Sequence, residues 1–191
     1  IGMTNPKFDD IGEYKDVETL NIFEMKKNEG MEEDAIMDII KKKSRDNSRT
    51  PMQWNSSKHA GFTTGDPWIN VASNYKEINV ESEVNDKDSI FSHYQRLIEL
   101  RKDLDIISHG DYQLILKEHE DIFAYIRSYK NEKLLVINNF YGKETVFQLP
   151  SELKLDGYQG NVLISNYKSS PEEFRSIKLR PYESIVYHLE K

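Results

Sequence analysis

The chain has 191 residues, with 26 Lys and Arg against 33 Asp and Glu, a net charge of −7. That balance excludes the basic footprint with which a nucleic-acid binder displaces counterions. The absence of Cys removes disulfides, thiol catalysis and thiolate-bound zinc together.

The 8 Phe, 11 Tyr and 2 Trp suffice for a core. No run of about 18 apolar residues offers a membrane span, and residues 1–20 lack the basic start and apolar stretch of a signal peptide. A cytoplasmic setting fits. A complete (β/α)8 barrel takes roughly 250 residues, more than are present.

In chain order, residues 1–86 are polar and irregular, with two helical candidates. One runs from Val17 through Leu20, Ile22, Phe23 and Met25 and stops at Gly30. The second spans Met31 to Lys43, with acids Glu32, Glu33 and Asp34 in front and Lys41–Lys43 behind, an order that complements the helix dipole. Ile36, Ile39 and Ile40 are expected on one face. Periodicity vanishes from Ser44 to Tyr75, a stretch rich in Asn, Ser, Thr, Gly and Pro that holds both Trp residues. A loop of this length is functional or disordered, and Trp54, Trp68 and Phe62 favour cover over disorder.

A strong amphipathic helix follows over Asp88–Lys102, with Ile90, Phe91, Tyr94, Leu97 and Ile98 at helical spacing and Asp86 or Asp88 as cap. From Ile106 onward the pattern is strands: 112–117, 122–128, 133–140, 145–149, 162–165, 177–179 and 184–189. Asn131, Gly142, Gly160 and Pro181 punctuate them. Short strands at this spacing predict an antiparallel sandwich or Greek key.

The chain contains no Gly-rich phosphate loop, no His-Glu-x-x-His and no Gly-x-Ser-x-Gly. Its five His (59, 93, 109, 119, 188) have no metal-ligand spacing. The stretch that draws attention is Arg45-Asp46-Asn47-Ser48-Arg49-Thr50-Pro51-Met52-Gln53-Trp54. A guanidinium is a rigid fork of five donors, suited to vicinal sugar hydroxyls or to a carboxylate that must be held. The plainer reading is an Arg45–Asp46 loop ion pair with Trp54 plugging a core.

Longer matches weigh on that choice. The chain resembles the C-terminal part of family 13 glycoside hydrolases, in the oligo-1,6-glucosidase and α-glucosidase branch. The resemblance lies in IGMTN at 1–5, Glu18-Thr19-Leu20-Asn21, RDNSRTPMQW at 45–54, AGFTTGDPWI at 60–69 and NYKEINV at 74–80. It continues in KDSIFSHYQRLIELRK at 87–102, IFAYIRSY at 122–129, LLVINNF at 134–140 and LRPYESIVY at 179–187. Ser48 departs from the pattern, standing where many relatives carry Ala.

The resemblance implies an α+β fragment. Residues 1–105 would be the end of a (β/α)8 barrel, its substrate-side loops and last helix, and residues 106–191 an antiparallel β-sandwich. It implies retaining hydrolysis by carboxylates roughly 5 Å apart, on barrel segments preceding IGMTN, so no catalytic residue, metal or cofactor is expected here. Arg49 would bind substrate, Glu18 and Asn21 would lie near the acceptor side, and Arg45 and Asp46 would support the loop. The expected substrate is a short α-linked gluco-oligosaccharide such as isomaltose. The alternatives are a trehalose-6-phosphate hydrolase and an independent, non-catalytic β module that binds sugar or protein. In a module the strands offer few exposed aromatics in a row. Loss of the barrel would leave the Phe91, Tyr94, Leu97 and Ile98 face open to self-association.

Overall fold

Helix α1 (Val17–Asn28) begins where the Asp16 carboxylate accepts the Thr19 N–H. It ends in a Schellman turn: Gly30 N–H reaches the Lys27 carbonyl and Met31 N–H the Lys26 carbonyl, with Gly30 at φ 86°. Helix α2 (Glu33–Lys43) starts two residues later than expected and buries Ile36, Met37 and Ile40. Ile39 is 43% exposed, because at 100° per residue it falls to the far side of Ile36 while Met37 and Ile40 cluster together. These helices, with Phe8, Tyr14, Phe23 and Ile69, close the apolar core of a first compact unit, Ile1–Gln95.

The computed structural model describes all residues, 1–191. Beyond α2 the chain passes through single 3-10 turns at 45–48, 58–61 and 73–76 before the six-residue helix α3 (Val80–Asn85). Helix α4 (Ile90–Asp103) follows. Its cap is Ser89, whose Oγ accepts the Ser92 N–H at 3.1 Å; Asp86 instead closes an Asx turn onto Asp88 N–H. None of α4 is buried, and Ile90, Phe91, Tyr94, Leu97 and Ile98 are all exposed.

The second unit is Arg96–Lys191. It takes in the last turns of α4, then the short helix α5 (Asp105–His109), which was not expected ahead of the first strand. All seven expected strands are present: β1 (Asp111–Ile115), β2 (Ile122–Tyr129), β3 (Glu132–Asn139), β4 (Thr145–Gln148), β5 (Gln159–Ser165), β6 (Ser176–Leu179) and β7 (Ser184–Glu190). They make an antiparallel five-stranded sheet, β1-β2-β3-β7-β5, and a two-stranded sheet, β4-β6.

Alternation along β2 and β7 sends Ile122, Ala124, Ile126, Ile185, Tyr187 and Leu189 inward, against Phe147 of β4 and Ile177 and Leu179 of β6. One core between two sheets is the sandwich the sequence predicted. β5 starts earlier than expected because Gly160 belongs inside it: a Cβ there would lie 2.6 Å from the Phe174 ring. Leu134 and Val136 on β3 are buried as well, so this central strand is covered on both faces. Arg127 closes α5, donating to the Ile106 and Gly110 carbonyls at 3.1 and 2.7 Å.

The outward face carries an aromatic row that was not expected. Tyr112 packs on Tyr125, Tyr125 on Phe123 and Phe123 on Phe140, with centroids 5.1, 5.8 and 6.2 Å apart. No helix of the chain is long and apolar enough to cross a membrane.

Candidate functional site

Asp46 is the centre of the first unit's polar structure. It is fully buried, and its Oδ2 accepts the N–H groups of Lys15 and Asp16 at 2.6 and 2.9 Å. This ties the 3-10 turn at 45–48 to the start of α1. Ser44 caps that turn by accepting the Asp46 N–H at 3.2 Å. The Thr19 hydroxyl donates to Asp16 Oδ2 at 2.9 Å, so in its 2.9 Å contact with Ser44 it must accept the Ser44 proton. Asp16, Thr19, Ser44 and Asp46 thus form one buried chain of hydrogen bonds.

Arg49 leans on this chain from outside. Its Nη1 donates to Asp16 Oδ1 at 3.3 Å and lies 3.7 Å from Asp46 Oδ1. Its side chain remains 41% exposed. Burial pushes the Asp16 carboxyl up. Hydrogen bonds from the Thr19 hydroxyl and N–H, and the Arg49 and Arg45 charges, outweigh that and hold it below the usual aspartate value.

Arg45 pairs with Glu18 at 2.9 Å, both exposed, and not with Asp46 as the plainer reading of the loop had it. Asp46 is committed to backbone N–H groups, and Arg45 reaches across to the first turn of α1. Asn21 is exposed one turn beyond Glu18. Arg49, Asp46, Glu18 and Arg45 are therefore brought together, with Asn21 beside them along α1.

The expectation for the tryptophans fails: Trp54 is 49% and Trp68 68% exposed, and Phe62 is open as well. The loop is ordered by polar contacts instead. Gln53 is fully buried, its side-chain amide donates to the Ile78 carbonyl, and its own carbonyl accepts the Val80 N–H at 2.8 Å. The Ala60 carbonyl accepts from Trp54 and Asn55 N–H, while His59, Ala60 and Gly61 all have positive φ. At Gly61 a Cβ would lie 2.6 Å from Asn55 Oδ1, so both the backbone and the space call for glycine. A depression on this loop is lined by Asn55, Lys58, His59, Phe62 and Thr63 and includes neither Arg49 nor Glu18.

Sequence reasoning missed Asp16, Thr19 and Ser44. The signal for Asp16 was local: an acid just before a helix, three residues ahead of a hydroxyl. It announces a cap and nothing about Arg49.

Residues 1–110 match the family described as alpha amylase, catalytic domain, and residues 122–186 the alpha-amylase SusG C-terminal domain. The chain belongs to the alpha-amylase family of glycoside hydrolases. Within it, the chain is 53% identical over 191 residues to a trehalose-6-phosphate hydrolase of Bacillus subtilis (strain 168), covering all of this chain and 34% of that protein. It is 50% identical over 190 residues to an oligo-1,6-glucosidase of Bacillus cereus, covering 99% of this chain and 34% of the other. The crystal structure of Bacillus licheniformis trehalose-6-phosphate hydrolase superposes with a TM-score of 0.96 at 59% identity, over 100% of this chain and 34% of that one. The chain thus spans about a third of the length of these relatives.

Proposed function

We propose that the whole protein is a retaining α-glucosidase that cleaves short α-linked gluco-oligosaccharides, in the manner of an oligo-1,6-glucosidase. Its nucleophile, its single acid/base and the acid that steadies the transition state are carboxylates outside these residues. What carries the reading is half-identity to glucosidases over essentially the full chain. Arg49 supports it: a cation seated on two buried carboxylates with four-tenths of its side chain in solvent can donate to sugar hydroxyls.

In this reading residues 1–105 end the catalytic barrel and 106–191 are the C-terminal β domain. Glu18 and Asn21 contact the sugar on the acceptor side, and Arg45 and Asp46 hold the loop. Residues 1–191 alone have no turnover and self-associate through the exposed α4 face.

Hydrolysis of trehalose 6-phosphate is a second reading, favoured by the higher identities of 53% and 59% to such enzymes. Cations near the acceptor side would have to meet the phosphate, and three lysines of α1 and α2 are engaged elsewhere: Lys26 with Glu29, Lys27 with Glu33 and Lys41 with Asp9. The test is kcat/KM of the full-length protein on isomaltose and on trehalose 6-phosphate, beside p-nitrophenyl α-glucoside with residues 1–191. A larger value on the phosphorylated sugar selects the second reading. Turnover by residues 1–191 refutes the assignment of the catalytic acids.

A further inference from the structure

We propose that Asp16 is a positioning residue that fixes the direction in which Arg49 meets the substrate. The inference deepens the functional reading above and rests on it. The two oxygens of Asp16 have separate tasks. Oδ2 takes the Thr19 N–H at 3.1 Å and the Thr19 hydroxyl at 2.9 Å, which sets the plane of the carboxylate. Oδ1 is thereby aimed at Arg49 Nη1, 3.3 Å away. The Asp16 backbone is itself pinned, its N–H donating to Asp46 Oδ2. Asp46 Oδ1, buried and with no hydrogen-bond partner, faces the same nitrogen at 3.7 Å. One cation therefore sits between two carboxylates whose positions the backbone dictates.

The cap alone does not call for aspartate. Asparagine caps a helix as well as aspartate does. An asparagine with its carbonyl at the Oδ2 position would turn its NH2 toward Nη1, donor against donor. The carboxylate is needed at Oδ1, on the arginine side. A free arginine samples many rotamers, and ordering it in advance lowers the cost of binding the sugar.

The test uses the full-length protein and a double-mutant cycle of Asp16→Asn with Arg49→Ala, read on whichever of isomaltose and trehalose 6-phosphate the wild type hydrolyses. Asp16→Asn is expected to lower kcat/KM about tenfold, chiefly through KM, with the protein still folded at the assay temperature. In the Arg49→Ala background it should change kcat/KM less than about twofold. An equal loss in both backgrounds, or wild-type KM and kcat in Asp16→Asn, overturns the proposal. Should Asp16→Asn not fold, Asp16→Ser carries the same cycle, since serine keeps a cap and has no carboxylate.

A wild type inactive on both sugars sinks the functional reading instead. The clamp is then judged on the 15N resonances of the Arg49 guanidinium, expected to rotate slowly in the wild type and fast in Asp16→Asn. Equal mobility in the two overturns it.

Discussion

The two units of this chain are nearly equal in length but ordered by different means. Arg96–Lys191 builds its core from 14 buried residues, all but Leu155 and Phe174 of them on strands, with two antiparallel sheets closing over one another. Ile1–Gln95 has a core of seven, and its long loop is organised by buried polar groups: Asp16, Thr19, Ser44, Asp46, Gln53 and Asn79. Apolar burial is non-directional and tolerates repacking. A buried carboxylate on two N–H groups fixes atoms to within a hydrogen bond. A site that must hold polar groups in place needs the second kind of order, and the unit with the candidate site has it.

The contrast breaks most sharply under core truncation. Phe147→Ala, at a fully buried ring between the sheets, should cost about 3–5 kcal/mol in urea unfolding of the second unit. Asp46→Ala should cost the first unit about 3 kcal/mol, because it strands the Lys15 and Asp16 N–H groups and uncouples Arg49. Hydrogen exchange would follow both, with the loss confined to the unit mutated. If Asp46→Ala left the protection of 14–20 and 44–50 intact, the polar account of that unit would fail.

Acid and alkali should separate the units as well. The Tyr187 hydroxyl, which donates to the Pro171 carbonyl at 2.7 Å, is pushed up to about 12 by burial, then by Glu183 and Glu173. The folded state holds this proton more tightly than the unfolded one. Its stabilisation, on the order of 2 kcal/mol, is intact below about pH 10 and disappears as pH rises toward 12. Tyr187→Phe should flatten that alkaline limb in the second unit. Asp16 is displaced the other way. Its lowered value makes its contribution present above the ordinary aspartate value, about pH 4, and lost as pH falls through the folded one. Protection of Thr19 N–H should therefore drop below about pH 4 in the wild type and show no such step in Asp16→Asn.

Much of the second unit was legible because its strands are runs such as Ile122–Tyr129 and Leu134–Ile137 set between turn residues. Gly160 misled: it read as punctuation but is glycine because Phe174 lies against it. The short helices α3 and α5 carry too few residues for a period to emerge, and α5 depends on Arg127, 17 residues beyond Gly110. In the first unit the motif around Arg49 was visible, while its support was not. Asp16 lies 33 residues from Arg49, and a contact at that separation leaves no trace in local spacing. The tryptophans misled for a related reason: size argues for cover, but Gln53 and the Ala60 carbonyl already hold the loop.

The smallest expected effect on stability tests the longest stretch where the apolar pattern does not lead to burial. On α4 the helical spacing of Ile90, Phe91, Tyr94, Leu97 and Ile98 is as regular as any in the chain, yet Leu97 is 39% and Ile98 44% exposed. Leu97→Glu with Ile98→Lys removes only half-covered apolar surface, so the unfolding free energy should move by less than about 1 kcal/mol per site. The same pair should lower the association of residues 1–191, read as a shift toward monomer in sedimentation at micromolar concentration, because an exposed apolar stripe of this length drives association. A wild-type chain monomeric at 100 μM would refute the stripe as an interface between copies. A double variant that unfolds would show instead that Leu97 and Ile98 are covered in solution.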